Sequence, residues 1–338
     1  MARLDKKKVL ITGASGFIGA HLTHLLINEG ADVTIVVRYN SIEHNVRLSS
    51  LWEKVEIFEA DIRNIDSLQP LQHCRFDFIF HLAAYNHVGN SFLHSGEALE
   101  TNCNGTANLL ESLKDYGKFV YISTSEVYGQ QDPIPFAEDM YPHPNSPYSV
   151  GKYAGELYSL MKQREANNPI VVMRPFNAFG PYQSLRAVIP ELIVKCLKGY
   201  PLETTEGTQT REFNFVTDLA EGILLGALSP ESVGEIINLG TGKDISIRDV
   251  AGLIHNKIPS SSELRIGELP TRPNEIWKMS SDASKARRLL AWEPKVSFEE
   301  GLDITIEWFR QYMKVYYNSD SPLFCLSKQK LSSQHNTI

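Results

Sequence analysis

Short apolar runs alternate with stretches of helical spacing along the first half of the chain. Residues 8–12, 32–37, 55–59, 76–82 and 118–123 read as strands. Helical periodicity covers 21–28 and 97–113, and a polar stretch follows the second strand. Strands separated in this way predict βαβ units, and hence a doubly wound α/β fold with helices on both faces of a parallel sheet. Right-handed crossovers set the strand C-terminal ends along one rim. Ligands of open α/β sheets bind there, so the residues just beyond each strand are the candidates for chemistry.

The pattern loosens after 170–173. Pro175, Gly180, Pro181 and Pro190 break the chain into short pieces suited to a smaller lobe, while a helix at 218–228 and an apolar strand at 235–239 return to the large sheet. The expected organisation is therefore discontinuous: 1–177 plus 213–240 as the sheet domain, 178–212 plus 241–317 as a smaller α/β lobe, and a polar, aperiodic tail at 318–338.

A chain of 338 residues has room for both units. The formal charge of −7 offers no basic surface to nucleic acid or an acidic membrane, and the run Lys6-Lys7-Lys8 solvates the approach to the first strand. No stretch reaches the roughly 20 apolar residues that span a bilayer. The N-terminus enters a strand rather than a signal peptide's apolar segment, so a cytoplasmic location is expected. Cys74, Cys103, Cys196 and Cys325 have neither paired spacing nor companion histidines, and neither disulfides nor a metal site is expected.

The first strand runs into Thr12-Gly13-Ala14-Ser15-Gly16-Phe17-Ile18-Gly19 and then a helix. Gly13 allows a tight turn, Gly16 a close backbone approach to phosphates and Gly19 a helix close to the sheet, while the helix N-terminus offers unpaired N–H groups to an anion. The first gap is one residue wider than the usual dinucleotide fingerprint, but strand before and helix after supply the context that a Rossmann-type site needs.

Beyond the second strand stand Arg38, Asn40 and Ser41, suited to a 2′-phosphate; alternatively Arg38 stacks on adenine. Asp61, followed by Ile62, either accepts from an adenine amino group or caps a helix. Leu82, Ala83 and Ala84 are small or apolar enough to let a cofactor pass close, with His81 before them as a hydrogen-bonded core histidine. The fifth strand ends Ser123-Thr124-Ser125-Glu126. Tyr148 and Lys152, four apart on a helix, share a face, and a nearby ammonium lowers a phenol's pKa, which makes Tyr148 a usable base.

Together with Asn102, Gly105-Thr106, Val127-Tyr128-Gly129, Arg174-Pro175-Phe176-Asn177, Gly180-Pro181, Arg211, Phe215 to Ala220, Asn238-Leu239-Gly240 and Arg272-Pro273-Asn274-Glu275, these motifs span about residues 8 to 312. In this order they resemble the extended short-chain dehydrogenase/reductase superfamily, in its nucleotide-sugar-modifying branch. The resemblance implies NADP or NAD, tightly bound and recycled, against the glycine turn and the strand ends, including Asn102, Ser123 and Pro175. It implies a nucleoside-diphosphate sugar between the lobes, touched by His87, Thr124, Asn177, Arg186, Val188, Arg211 and Arg272. Tyr148 would take the O4 proton, Lys152 would assist and hold the ribose, and Thr124 would hydrogen-bond O4. A homodimer through the helices near 97–113 and 148–164 is also expected.

The branches differ in how they use a transient 4-keto sugar. Loss of the C6 hydroxyl needs a base at C5, a role that fits Glu126; its alternative is a structural carboxylate. Typical dehydratases resemble Thr-Asp-Glu where this chain has Thr124-Ser125-Glu126, and serine is too weak an acid to replace the Asp. In this the chain resembles UDP-glucuronate decarboxylases, but also a dehydratase group of the legionaminic-acid pathway that shares a run like Val37 to Ser41. His87-Val88-Gly89-Asn90-Ser91 resembles the dehydratases' His-Val-x-x-Ser. The expectation is a nucleotide-sugar 4,6-dehydratase. UDP-glucuronate decarboxylase or 4-epimerase is the alternative, and a non-catalytic cofactor sensor the remote one.

Overall fold

A computed structural model describes residues 2–38, 47–132, 134–271 and 275–316; Asn40, Ser41, Arg272 and the tail at 318–338 lie outside them. The chain runs β1 (Lys8–Thr12), α1 (Phe17–Asn28), β2 (Asp32–Val37), β3 (Glu56–Glu59), β4 (Arg75–His81), α2 (Val88–Ser91), α3 (Ser95–Leu99), α4 (Gly105–Ser112), β5 (Asp115–Ile122), α5 (Pro147–Ala166), β6 (Ile170–Pro175) and β7 (Asn177–Phe179). It continues through α6 (Val188–Leu197), β8 (Leu202–Thr204), β9 (Thr210–Phe215), α7 (Val216–Leu228), β10 (Ile236–Leu239), β11 (Asp244–Ser246), α8 (Ile247–Lys257), β12 (Leu264–Ile266), α9 (Ser284–Leu290) and α10 (Phe298–Tyr316).

Seven parallel strands form one sheet in the order β3-β2-β1-β4-β5-β6-β10. Both of its faces are covered, which explains why its strands are nearly continuous in apolar residues. Val9 and Ile11 of β1, Val120 and Ile122 of β5, and Val171 and Met173 of β6 face the core shared with α1 and α7. Their neighbours Leu10, Phe119, Tyr121, Ile170 and Val172 face the opposite core, which includes Leu109 and Leu110 of α4. The strand order reverses between β1 and β4, and the crevice beyond their C-terminal ends is where such sheets take ligands.

The helix expected over 97–113 is divided into α3, a π-helical turn at Glu100–Asn104 and α4. The wide turn carries Asn102 inward, where it is buried and hydrogen-bonds both backbone groups of Tyr85, with Tyr85 N–H donating at 2.7 Å and Asn102 Nδ2 donating to Tyr85 O at 3.1 Å. Such turns mark local demands that an unbroken α-helix does not meet.

The smaller lobe holds β11-β9-β7 and β12-β8. Its core joins Phe179, Phe213 and Phe215 to α6, α8 and α10. Between the lobes a compact group of Val127, Tyr128, Phe136, Phe176, Ile276 and Met279 closes against solvent.

Candidate active site

At the crevice, Gly13 adopts φ +76°, and a Cβ there would lie 2.6 Å from Ala83 N, so the turn is pressed against the end of β4. A Cβ on Gly19 would lie 2.1 Å from Gly13 O, which brings α1 down onto the turn. Gly16 caps α1 with no side chain, leaving the first-turn amides without a side-chain acceptor. Ser15 and Phe17 are half-buried in this turn, and Ile18 packs on the sheet core. The cradle fits a dinucleotide pyrophosphate.

Leu82 and Ala83 extend β4 by donating to Thr12, Leu82 N–H to the carbonyl at 3.0 Å and Ala83 N–H to Oγ1 at 3.2 Å. His81 is fully buried with Nδ1 2.7 Å from Thr12 Oγ1 and Nε2 3.0 Å from Thr106 Oγ1. Thr106 Oγ1 donates to Asn102 O, so the network assigns the proton to Nε2 of His81. Burial, with Lys152 adding to it, lowers its pKa to about 3, the neutral core histidine expected from the sequence.

Asp61 is not a helix cap: Asn64 caps the following 3-10 segment, and the Asp61 carboxylate accepts from the Arg63 backbone at 3.0 Å and from its guanidinium at 2.6 Å. That pairing holds its pKa below the usual carboxylate range, with Arg38 contributing through charge. Ile62 is buried against Gly105, and Ala84 and Pro175 lie on the rim, half-buried and buried.

Ser146 caps α5 reciprocally with Ser149, and Pro147 occupies the first turn, which fixes Tyr148 at the helix start. Gly155 lets α5 approach closely, since a Cβ there would sit 2.5 Å from both Asn102 O and the Tyr121 hydroxyl. Tyr148 is half-buried at the start of α5. Burial drives the phenol up to about 12; the Thr124 hydroxyl opposes this, and the charge of Glu126 adds to the rise. Lys152 is buried with Nζ 4.4 Å from the centroid of the Tyr121 ring. Burial lowers its pKa to about 7 while Glu156 opposes the fall. The sequence reading expects Lys152 to lower the Tyr148 pKa; instead burial raises the phenol, and Lys152, itself lowered to about 7, is uncharged in the range where the phenol titrates.

One turn beyond Lys152, buried Glu156 accepts from Ser123 Oγ at 2.7 Å and from Arg174 Nη2 at 2.5 Å. The spacing that pairs Tyr148 with Lys152 extends to Glu156, so this carboxylate was accessible to the same reasoning. Thr124 Oγ1 accepts from Glu126 N–H at 3.2 Å and opens a 3-10 turn, Ser125–Val127. Ser125 points elsewhere: its hydroxyl donates to Met279 Sδ at 3.3 Å.

On the other wall, Arg211 Nη2 pairs with Glu275 at 2.5 Å and Nη1 donates to Ile276 O. Asn177 is half-buried in β7 beside Phe213, Val188 opens α6, and Arg186 is exposed. His87 caps α2, its Nδ1 accepting from Asn90 N–H at 2.9 Å. Arg47 and Met279 stand in no local pattern that sequence reading could have singled out. Among the described residues no group of His, Cys, Asp and Glu forms a metal site, and no helix is long and apolar enough to cross a membrane.

A seven-stranded parallel Rossmann-type sheet with Tyr148 and Lys152 on the helix beside its rim is the architecture of a short-chain dehydrogenase/reductase fold. The chain belongs to the GDP-mannose 4,6 dehydratase family of extended short-chain dehydrogenase/reductases, whose family model matches residues 10–305. It is 34% identical over 335 residues to UDP-glucuronic acid decarboxylase 1 of Xenopus tropicalis, covering 94% of this chain and 76% of that protein. Identity to the UDP-N-acetyl-alpha-D-glucosaminuronate decarboxylase of Bacillus cytotoxicus is 35%, covering 90% of this chain and 98% of the relative. The crystal structure of the UDP-glucuronic acid 4-epimerase from Bacillus cereus, in complex with UDP-glucuronic acid and NAD, superposes with a TM-score of 0.82 at 31% identity over 90% of this chain and 99% of that one.

Proposed function

We propose that the protein is a nucleotide-sugar 4,6-dehydratase, acting in the cytoplasm as a homodimer with NADP or NAD tightly bound and recycled. Residues 1–177 with 213–240 hold the cofactor in this reading, and 178–212 with 241–317 the nucleoside-diphosphate sugar. Arg38, just beyond β2, supports a phosphate-bearing adenosine, and so NADP; Arg63 is held by Asp61. Exposed Val150, Leu157 and Met161 on α5, with Leu99 on α3, support the dimer.

The observation that carries the reading is the 3-10 turn Ser125–Val127 at the end of β5, where Glu126 N–H donates to Thr124 Oγ1 at 3.2 Å and so sets a carboxylate two residues from the threonine that serves O4; its charge also acts on Tyr148. Elimination of a C6 hydroxyl needs a base at C5 beside the group that handles O4. A sugar carboxylate at C6 would instead bring a second negative charge towards Glu126. Tyr148 removes the O4 proton, and the Thr124 hydroxyl at the end of β5 hydrogen-bonds the same O4. A nicotinamide bound at the rim would supply the hydride acceptor and, when oxidised, a positive charge that favours loss of the O4 proton. Glu126 then takes the C5 proton and gives it to the C6 hydroxyl, which leaves as water, so the elimination needs no acid from Ser125; return of the hydride to C6, with a proton to C5, completes the 4-keto-6-deoxy sugar and closes the redox balance.

Decarboxylation is the second reading, favoured by the bond between Ser125 and Met279, since carbon dioxide leaves a 4-keto uronate without an acid for a departing hydroxyl. The test is incubation with UDP- and GDP-N-acetylglucosamine, UDP-glucuronate and common nucleotide hexoses, reading product masses. Loss of one water supports the dehydratase; loss of carbon dioxide from the glucuronate replaces it with the decarboxylase; unchanged mass with altered retention indicates epimerisation.

A further inference from the structure

Half-buried Arg47 reaches both sides of the crevice. Its Nε donates to Tyr182 O at 3.0 Å, in the turn that leads into the smaller lobe. Its Nη1 donates to Ser15 O at 3.1 Å, inside the glycine turn. A planar guanidinium can hold two carbonyls in fixed directions at once, which a lysine's point-like ammonium does less well.

The surrounding contacts follow the same line. His21 of α1 lies with Nε2 3.0 Å from Pro181 O, on the same turn that Arg47 reaches. The Tyr182 ring meets His21 at 5.9 Å and Trp308 at 4.7 Å, and Trp308 stacks on Tyr312 at 4.7 Å. Tyr182 holds φ +68°, a conformation costly for a residue with a Cβ, so the turn is kept in place by its partners. Arg47 thus joins the glycine turn to the turn at 180–182, and the Tyr182 ring carries that turn onto Trp308 of α10.

We propose that Arg47 is a positioning residue that couples the glycine turn to the smaller lobe, so that a nucleoside diphosphate bound in that lobe slows release of the cofactor. The proposal rests on the reading of the lobe as a nucleotide-sugar site. Coupling of this kind is reciprocal, and a factor of about ten lies within the usual range.

The experiment measures release of reduced cofactor from the full-length protein by fluorescence, chased with excess oxidised cofactor, with and without saturating UDP or GDP, whichever binds by calorimetry. The wild type should release about tenfold more slowly with the nucleotide. Arg47→Met keeps the aliphatic stem but loses both hydrogen bonds, and its two rates should agree within about twofold. A merely structural role would change both rates together and leave their ratio intact; that result, or a wild type indifferent to the nucleotide, overturns the coupling. If Arg47→Met does not fold, hydrogen exchange on the wild type decides: the nucleotide should protect amides 13–19, and no protection overturns the proposal. Binding of neither UDP nor GDP is a different failure, because it removes the nucleotide-sugar reading itself and the coupling with it.

Discussion

Ser125 donates its hydroxyl to the sulfur of Met279 across 3.3 Å, with both side chains sealed from solvent. Ser125 was expected among the catalytic residues with Thr124, Glu126, Tyr148 and Lys152; its bond to Met279 supports a packing role in the turn after β5. Ser125→Ala should keep product formation within about threefold and lose about 1 kcal/mol of stability, the usual worth of one hydrogen bond. Ser125→Asp should be worse, since it buries a carboxylate against a thioether. Recovery of faster water loss in Ser125→Asp would show instead that this position faces the sugar.

Tyr148 and Glu126 act on different bonds in the proposed reaction, and their variants should separate. Tyr148→Phe removes the O4 base and should reduce turnover by about 10²- to 10⁴-fold at every step. Glu126→Gln should still oxidise C4, so reduced-cofactor absorbance builds up while water loss stops. If Glu126→Gln turns over normally, the carboxylate is structural.

Lys152 gives a pH signature. Burial lowers its pKa to about 7 in the fold, below its ordinary value. The unfolded chain therefore binds more protons than the folded one between about pH 7 and pH 10, so stability rises with pH across that window, and the buried charge is most unfavourable below it. Lys152→Met, without added cofactor, should raise the melting temperature at about pH 6 and change it little near pH 10.5. Equal shifts at the two pH values would contradict this.

Glu156 and Arg174 form an ion pair with each side chain about 1% exposed. Arg174→Met leaves the carboxylate buried and unpaired and should cost about 3–5 kcal/mol in urea unfolding. Adding Glu156→Leu should recover much of that loss. A double variant as unstable as the sum of the singles would mean the two act independently.

The parts of the site written in contiguous sequence were legible. The glycine turn declares itself by spacing, and Tyr148 with Lys152 by helical period. Glycines alone, however, do not reveal that Gly13 is fixed by Ala83, and the periodicity of 97–113 hides the π turn because one extra residue leaves the apolar pattern almost unchanged. Contacts across long separations were not legible at all: Ser125 with Met279, Arg211 with Glu275, and Arg47 with Ser15 and Tyr182 depend on how the lobes fold back. The electrostatic balance was equally hidden, since Lys152 lies over Tyr121 only once β5 and α5 are packed.

β10 reaches the edge of the large sheet, beside β6, only after the chain has built β7 to β9 of the smaller lobe. A fragment ending near 177 would therefore carry β6 as an open edge with unpaired backbone groups, ready to join a neighbouring copy. The two units cannot be separated by a single cut. During synthesis the first sheet stays incomplete until Leu239 has emerged, so premature termination anywhere between 177 and 236 should give aggregating rather than cofactor-binding protein.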